Sequence, residues 1–166
     1  MPDYLFLMES RLQPAQWQAV LQVQKAAEAL GMNLYLVGGA VRDLIGGFPI
    51  EDLDFVAEGK ALKLVRDLVR QQALLSRGVG GQVRITWRNE ALQATELEFP
   101  SGDLVSVSMV RGDGDSRPLR SQTIRATILD DLRRRDFSIN AIAISLNPQS
   151  RGLLLEIGRA SCRERV

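Results

Sequence analysis

The sequence predicts an α+β fold in which helices pack on a small mixed β-sheet. The chain has 166 residues, about one domain, with ordinary globular proportions of 45% hydrophobic and 25% charged residues. Segments whose apolar residues recur at helical spacing alternate with short strand-like runs. Glycine-rich and proline-containing loops separate these segments, which allows the chain to turn between them. The predicted order is helix, strand, short helix, strand, helix, three strands, helix.

The first half of the chain supplies the first five elements. An amphipathic helix covers "PAQWQAVLQVQKAAEALG", with Pro14 in its first turn and Gly31 as its C-terminal cap. A strand over 34–37 ends at Gly38 and Gly39. "AVRDLI" then predicts one or two helical turns, "GGFP" a loop, and "DLDFV" a second strand. "KALKLVRDLVRQQ" has the apolar stripe of another helix.

The second half contributes three strands and a helix. "QVRITW", "ATELEF" and "LVSVSMV" have the composition of strands, and the turn-forming "PSGD" joins the last two into a hairpin. Thr127, with Asp130 three residues later, has the spacing of a capping box. This box predicts the start of a helix over "ILDDLRRRDFSINAIAI".

Composition excludes several classes of chemistry. The chain has no histidine and one cysteine, Cys162, which argues against Ser-His and Cys-His catalysis, histidine-bound metals and a disulfide framework. Carboxylates and arginines must therefore carry any reaction. The opening "MPDYLFLMES" lacks the basic stretch of a signal peptide, and no run approaches eighteen apolar residues. We expect a cytoplasmic protein with no membrane partner.

The last eleven residues need separate treatment. "EIGRASCRERV", residues 156–166, resembles the translation of a common sequencing-adapter oligonucleotide. On this interpretation residues 1–155 form the protein domain and residues 156–166 are not native. Removing the three arginines and two glutamates of the segment leaves 18 basic and 18 acidic residues. A neutral domain gives no overall electrostatic argument for binding nucleic acid.

The glycine pair suggests a phosphate site. Where a strand runs through Gly38 and Gly39 into a helix, the backbone can approach a ligand closely, and the first free N–H groups of the helix point at it. Arg42, one turn later, could add a charge-assisted contact to the same phosphate. The alternative is plain turn chemistry, since the spacing matches neither the dinucleotide-binding nor the P-loop glycine pattern.

Two aspartates strengthen the phosphate interpretation. Asp52 and Asp54 stand two apart on a predicted strand, so both side chains face the same way with Cα atoms about 7 Å apart. Such carboxylates repel each other unless a cation lies between them, and magnesium accepts one or two carboxylates plus phosphate oxygens. The alternative is a solvent-facing pair at a strand start, with Leu53 and Phe55 facing the core. Beside a phosphate loop, the metal interpretation is favoured.

A third cluster is the run Arg133, Arg134, Arg135 and Asp136. Three consecutive cations around a helix repel one another unless anions meet some of them. A solvated basic face is the alternative. Four apolar residues predict that this segment is anchored in the core: Phe137, Ile139, Ala141 and Ile142.

The three motifs together carry a family resemblance. "LVGGAVRDLIGG", "DLDFV" and "DLRRRDFSINAIAIS" resemble the catalytic head of the bacterial tRNA nucleotidyltransferase and poly(A) polymerase family, which includes the CCA-adding enzymes. The resemblance covers roughly 34–155. It implies a polymerase-beta-like nucleotidyltransferase head. It also implies magnesium-dependent transfer of NMP from CTP and ATP to the 3′ end of tRNA, without a nucleic-acid template and with release of pyrophosphate.

The resemblance also implies roles for single residues. Asp52 and Asp54 would be catalytic and hold two magnesium ions, and Gly38, Gly39 and Arg42 would bind the triphosphate. The further nucleotide-binding positions that it implies are Asp43, Arg111, Arg134, Arg135, Asp136 and Asn140. Of these, Arg134, Arg135 and Asp136 would lie along the ribose and phosphates.

Two departures from the family pattern bear on function. The family often has V-E-V-x-x-x-R on the next catalytic strand, whereas this chain has "VSVSMVR", with Ser106 at the acidic place and Arg111 retained. Glu96 or Glu98 could supply a third metal carboxylate, although the alternation of their strand favours solvent-facing positions. The Glu-Asp-x-x-Arg template that reads the incoming base lies beyond the matched head, so this chain shows no means of base selection.

Three functions remain open from the sequence. The first is addition of all or part of CCA to tRNA, and the second is poly(A) synthesis with the same head. The third is a nucleotide-binding fragment that does not turn over, because this segment alone is expected to lack the means of positioning RNA. The sequence leaves the oligomeric state open.

Overall fold

The computed structural model describes residues 3–76, 80–112, 126–135 and 138–157. It confirms the predicted α+β class, with one seven-stranded sheet of order β3-β4-β5-β2-β1-β6-β7 and helices on its faces. β2 and β5 pair in parallel, and the other neighbouring strands are antiparallel, so the sheet is mixed.

The elements follow one another in an order close to the predicted one. The strands are β1 Asn33–Val37, β2 Asp52–Glu58, β3 Arg84–Asn89, β4 Ala94–Glu98, β5 Leu104–Met109, β6 Ile142–Ser145 and β7 Leu154–Glu156. The helices are α1 Tyr4–Arg11, α2 Pro14–Ala29, α3 Gly39–Gly46, α4 Ala61–Ser76 and α5 Ile128–Arg133, with a short 3-10 helix at Ser138–Asn140.

The alternation along β2 divides the sheet into two faces. Leu53, Phe55 and Ala57 are fully buried in the larger core, to which residues of α1, α2, α3 and α4 also belong. Val56 points to the other face and packs with Tyr35 in a smaller core that includes α5. Asp52 and Asp54 have the same parity as Val56, so they stand on the α5 face.

The prediction of a long helix from Ile128 is correct for the first six residues and wrong after them. α5 begins at the predicted capping box, where the Thr127 N–H donates to Asp130 Oδ2 (2.8 Å), but it ends at Arg133. The segment "IAIS" instead forms β6 beside β1, with three of its four residues buried. A short apolar run fits either a buried helix or a central strand, and here sheet pairing decides.

The same region contains a second correction. Ile139, predicted to anchor the core, is 60% exposed, whereas Ala141 is buried as expected. Phe137 lies outside the described residues. The sequence interpretation also missed α1, whose N-cap Asp3 accepts from the Leu5 N–H (3.0 Å), and β7, which completes the sheet beside β6.

Glu156, the first residue of the suspected adapter segment, is the last residue of β7 and lies opposite Ile142. The proposed boundary at residue 155 stays a prediction, and residues from 158 onward lie outside the described part. Within that part, no helix combines the length and apolar character needed to cross a membrane.

Replacing Tyr35 with phenylalanine should test the smaller core. The Tyr35 side chain is buried in this core, and desolvation first, and then the Glu58 charge, raise the pKa of its hydroxyl. Loss of the hydroxyl's polar interactions should lower the free energy of unfolding by about 1 kcal/mol at pH 7. Since the raised pKa favours the neutral hydroxyl, its contribution is complete below pH 10 and disappears as pH rises through the folded-state pKa.

Urea unfolding of both proteins between pH 7 and pH 11 checks this prediction. The stability difference should shrink at the alkaline end. A difference that stayed constant up to pH 11 would contradict the assignment of the effect to the hydroxyl.

Candidate active site

The predicted turn between strand and helix forms at the glycine pair. Gly38 follows β1 with φ 69° and ψ −136°, a conformation that a side chain would strain, and α3 begins at Gly39. The Gly38 N–H donates to the Ile142 carbonyl (3.1 Å), and the Arg42 N–H donates to the Gly38 carbonyl (3.1 Å). A Cβ on Gly38 would lie 3.3 Å from Arg135 Nη1, so this glycine leaves room for an arginine.

Arg42 brings three of the predicted positions together. Its Nε and Nη2 atoms donate to the two carboxylate oxygens of Asp43 (2.8 and 3.1 Å), and its Nη1 donates to Asn140 Oδ1 (3.2 Å). The hydrogen bonds to Asp43 raise the pKa of Arg42, which keeps the guanidinium charged. The Arg42 side chain remains 40% exposed, so it is oriented by protein partners and still open to a ligand.

The two aspartates take the arrangement predicted from their spacing. Asp52 and Asp54 lie on the same face of β2, Asp52 exposed and Asp54 half-buried. Ser106 on the parallel neighbour β5 lies opposite Asp54, and its hydroxyl donates to Asp54 Oδ1 (2.6 Å). Ser106, at the position where the family often has an acidic residue, therefore orients the Asp54 carboxylate.

The sheet register places the aspartates beside the glycine turn. β1 and β2 are antiparallel, with Leu36 opposite Phe55, so the end of β1 meets the start of β2. Gly38 follows that end of β1, and Asp52 and Asp54 occupy that start of β2. The phosphate-loop candidate and the carboxylate pair thus share one end of the sheet, although 13 residues separate Gly38 from Asp52 in the chain.

The two glutamates considered as a third carboxylate already have partners. Glu96 lies opposite Ser106 on β4, and its Oε1 accepts from the Thr86 hydroxyl (3.0 Å). Glu98 accepts from Arg84 Nη2 (2.7 Å). Among the residues that the structure describes, no group of three or more histidine, cysteine, aspartate or glutamate side chains is placed to hold a metal ion.

The carboxylate pair nevertheless fits magnesium. This ion is commonly held by one or two carboxylates, with waters and substrate phosphate oxygens completing its coordination. Asp52 and Asp54 supply two such carboxylates, and the Ser106 hydroxyl holds one of them in place. An all-protein cage is unnecessary, because phosphate oxygens would enter from the neighbouring glycine turn.

The three consecutive arginines have different surroundings. Arg133 ends α5 and pairs loosely with Asp130 (3.6 Å), and Arg134 is the exposed C-cap. The Arg135 side chain is only 28% exposed and donates through Nε (3.2 Å) and Nη2 (3.0 Å) to Asp131 Oδ2. Of the three, Arg135 is the one that reaches the glycine turn. Asp136 lies outside the described residues.

Arg111 occupies a different end of the sheet. It follows β5, which ends at Met109, whereas Asp52 pairs with Leu104 at the start of that strand. The Arg111 backbone N–H donates to Asp131 Oδ1 (3.0 Å). The structure therefore connects Arg111 to Arg135 through Asp131 and does not place it beside the two aspartates.

Asp131 is the functional candidate that sequence reasoning missed. The pair Asp131 and Arg135 has the i, i+4 spacing that brings side chains together on a helix, which was the available signal. That signal was weak, because α5 ends before Arg135.

Comparison with known proteins points to one family. A family model described as "Poly A polymerase head domain" matches residues 34–157. The chain is similar to an A-adding tRNA nucleotidyltransferase of Halalkalibacterium halodurans, with 38% identity over 158 residues that cover 90% of this chain and 33% of the relative.

Solved structures give the same result. The fold is similar to that of the Thermotoga maritima CCA-adding enzyme complexed with tRNA, with 29% identity and a TM-score of 0.71 over 98% of this chain and 34% of that one. It is also similar to a CCA-adding enzyme in complex with CTP, at 30% identity and a TM-score of 0.71 over 98% and 35% of the two chains. The chain spans about a third of the length of these proteins.

Proposed function

The chain belongs to the family of poly(A) polymerase head domains, and we propose that it is the catalytic head of a tRNA nucleotidyltransferase. In this proposal it transfers NMP from CTP and ATP to the 3′ end of tRNA and releases pyrophosphate. The relatives named as A-adding and CCA-adding enzymes and the solved complexes with tRNA and CTP support these substrates.

The observation that carries the proposal is the shared position of two motifs. A glycine turn that opens α3 and a pair of carboxylates on β2 lie at one end of the sheet. Transfer of a nucleotidyl group needs mainly positioning and neutralisation of phosphate charge. These two motifs together with Arg42 and Arg135 offer such contacts without histidine or cysteine.

Each group has a separate task in the proposed reaction. The backbone at Gly38 and Gly39 lets the triphosphate approach closely, and Arg42, held by Asp43 and Asn140, binds phosphate oxygens. Arg135 presents its Nη1 to the same turn. These contacts orient the α-phosphate towards the RNA 3′-hydroxyl and hold the departing pyrophosphate.

Asp52 and Asp54 would hold magnesium next to the α-phosphate. When bound, magnesium neutralises phosphate charge and makes the 3′-hydroxyl a better nucleophile. Ser106 fixes one oxygen of Asp54, which leaves the other oxygen available to the ion. Arg134 and Asp136 are proposed to contact the nucleotide, and Arg111 is proposed to do so from the more distant end of β5. The cytoplasmic location stays a prediction.

A head exchange tests the proposal. Residues 1–157 would replace the matching segment of the Thermotoga maritima CCA-adding enzyme, because the chain covers only a third of that protein. We expect the chimera to add radiolabelled CMP and AMP to a tRNA that lacks its terminal CCA. A chimera that folds, binds tRNA and CTP, and transfers no nucleotide would contradict the proposal.

The choice between A addition and CCA addition is tested on the 166-residue chain itself, because the chimera would carry the base-reading template of its host. The Halalkalibacterium halodurans relative is named as A-adding, whereas other relatives are named as CCA-adding enzymes. A tRNA ending in CC and one lacking CCA would be offered with ATP and CTP separately. Extension of the tRNA ending in CC with ATP, without extension of the tRNA lacking CCA by CTP, would favour A addition. Extension of both would favour CCA addition, whereas repeated adenylation of any RNA end would favour poly(A) synthesis.

A further inference from the structure

We propose that Asp131 is a positioning residue that holds Arg135 against the glycine turn, so that one guanidinium nitrogen is presented to the triphosphate. This inference rests on the proposed function for the identity of the ligand. It concerns a carboxylate that touches neither the carboxylate pair nor the glycine turn, and that acts only through an arginine.

The first step is the placement of Asp131. It lies on the buried side of α5, with its side chain 11% exposed, and both of its oxygens are engaged. Oδ1 accepts from the Arg111 backbone N–H, and Oδ2 accepts from Nε and Nη2 of Arg135. One carboxylate thus joins the segment after β5 to the segment after α5.

The second step is the geometry of the arginine. A carboxylate bound to Nε and Nη2 occupies one edge of the planar guanidinium and fixes the direction of the remaining nitrogen. Nη1 is that remaining nitrogen, and it lies 3.3 Å from the point that a Cβ on Gly38 would occupy. The contact with Asp131 therefore directs Nη1 of Arg135 towards the glycine turn.

The third step is the need for such a contact. α5 ends at Arg133, and the Arg135 N–H still donates to the Leu132 carbonyl (3.3 Å), which holds the backbone but not the side chain. An unrestrained arginine side chain loses considerable rotamer entropy when it binds a ligand. A restraint made in the free protein removes part of that cost from binding. Asp131 provides the restraint from the last full turn of the helix.

The test compares two neighbouring aspartates of α5 in the 166-residue chain. Asp131→Asn removes the charge that holds Arg135, and the amide keeps an oxygen for the Arg111 N–H. Asp130→Asn is the matched control, because Asp130 bonds to Thr127 in the capping box and pairs with Arg133, whereas the carboxylate that binds Arg135 is Asp131. Binding of magnesium-CTP is measured by calorimetry, and thermal melting is measured for each variant.

We expect Asp131→Asn to weaken nucleotide binding about tenfold, and Asp130→Asn to change it less than about twofold at a similar loss of melting temperature. In an Arg135→Ala background, adding Asp131→Asn should have almost no further effect, since its influence runs through the arginine. A purely structural role would weaken binding in both backgrounds, which would overturn the inference.

A second measurement requires no nucleotide. The Arg135 Nε proton should give an NMR signal protected from exchange with water in the wild type and in Asp130→Asn, and lose protection in Asp131→Asn. If the wild type binds no nucleotide, the proposed function fails, while this signal still reports whether Asp131 orders Arg135. Absence of protection in the wild type overturns the inference by itself.

Discussion

Asp54→Asn is expected to reduce nucleotide transfer by the chimera about a thousandfold, which corresponds to the several kcal/mol that a bound metal contributes to charge stabilisation. The substitution keeps the size of the side chain and its hydrogen bond from Ser106, but it removes the negative charge. Magnesium-dependent binding of CTP to the 166-residue chain should fall together with transfer. Single-turnover transfer and calorimetry with and without magnesium measure the two effects.

Glu98→Gln provides a control on the same face of the sheet. Glu98 lies on β4 and pairs with Arg84 at the surface. Such an exposed ion pair contributes about 0–1 kcal/mol to the free energy of unfolding. Transfer by this variant should remain close to that of the parent chimera. If Asp54→Asn and Glu98→Gln behaved alike, the assignment of the metal to the β2 pair would be wrong.

Gly38→Ala should damage stability and binding together. The φ of 69° and ψ of −136° lie where a side chain is strained, which should cost about 1–3 kcal/mol of unfolding free energy. The added Cβ would also press on Arg135 Nη1. We expect magnesium-CTP binding to fall about ten- to a hundredfold, as loss of a charged hydrogen bond implies.

Gly39→Ala serves as the stability control for this substitution. Gly39 has no positive φ, and a Cβ there would make an ordinary 3.6 Å contact with Arg42 Nη2. The free energy of unfolding of Gly39→Ala, measured in urea, should match that of the wild type or exceed it slightly, because alanine favours a helix. Equal destabilisation by both alanines would show that the strain at Gly38 is not the cause.

The parts of the site that sequence predicted are those with local geometry. The side-chain period of two on a strand is enough to put Asp52 and Asp54 on one face, and the structure shows this arrangement. A strand that ends in two glycines predicts a turn into a helix, and α3 begins at Gly39. Neither conclusion needs knowledge of distant parts of the chain.

The parts that sequence failed to predict depend on long-range pairing. The segment "IAIS" reads equally well as a helix or a strand, and its pairing with β1 decides for the strand. The exposure of Ile139 follows from the same change. Asp131 was overlooked because its proposed role depends on the approach of Arg135 to Gly38, two residues that are 97 positions apart in the chain.

The bond from the Gly38 N–H to the Ile142 carbonyl has a consequence for synthesis on the ribosome. Arg42 likewise depends on Asn140, which lies 98 residues later in the chain. Both contacts form late in folding, because a long loop must be ordered before either contact can be made. A nascent chain that has emerged only as far as β5 therefore carries both aspartates and the glycine pair, but not yet the partners that complete the proposed nucleotide site.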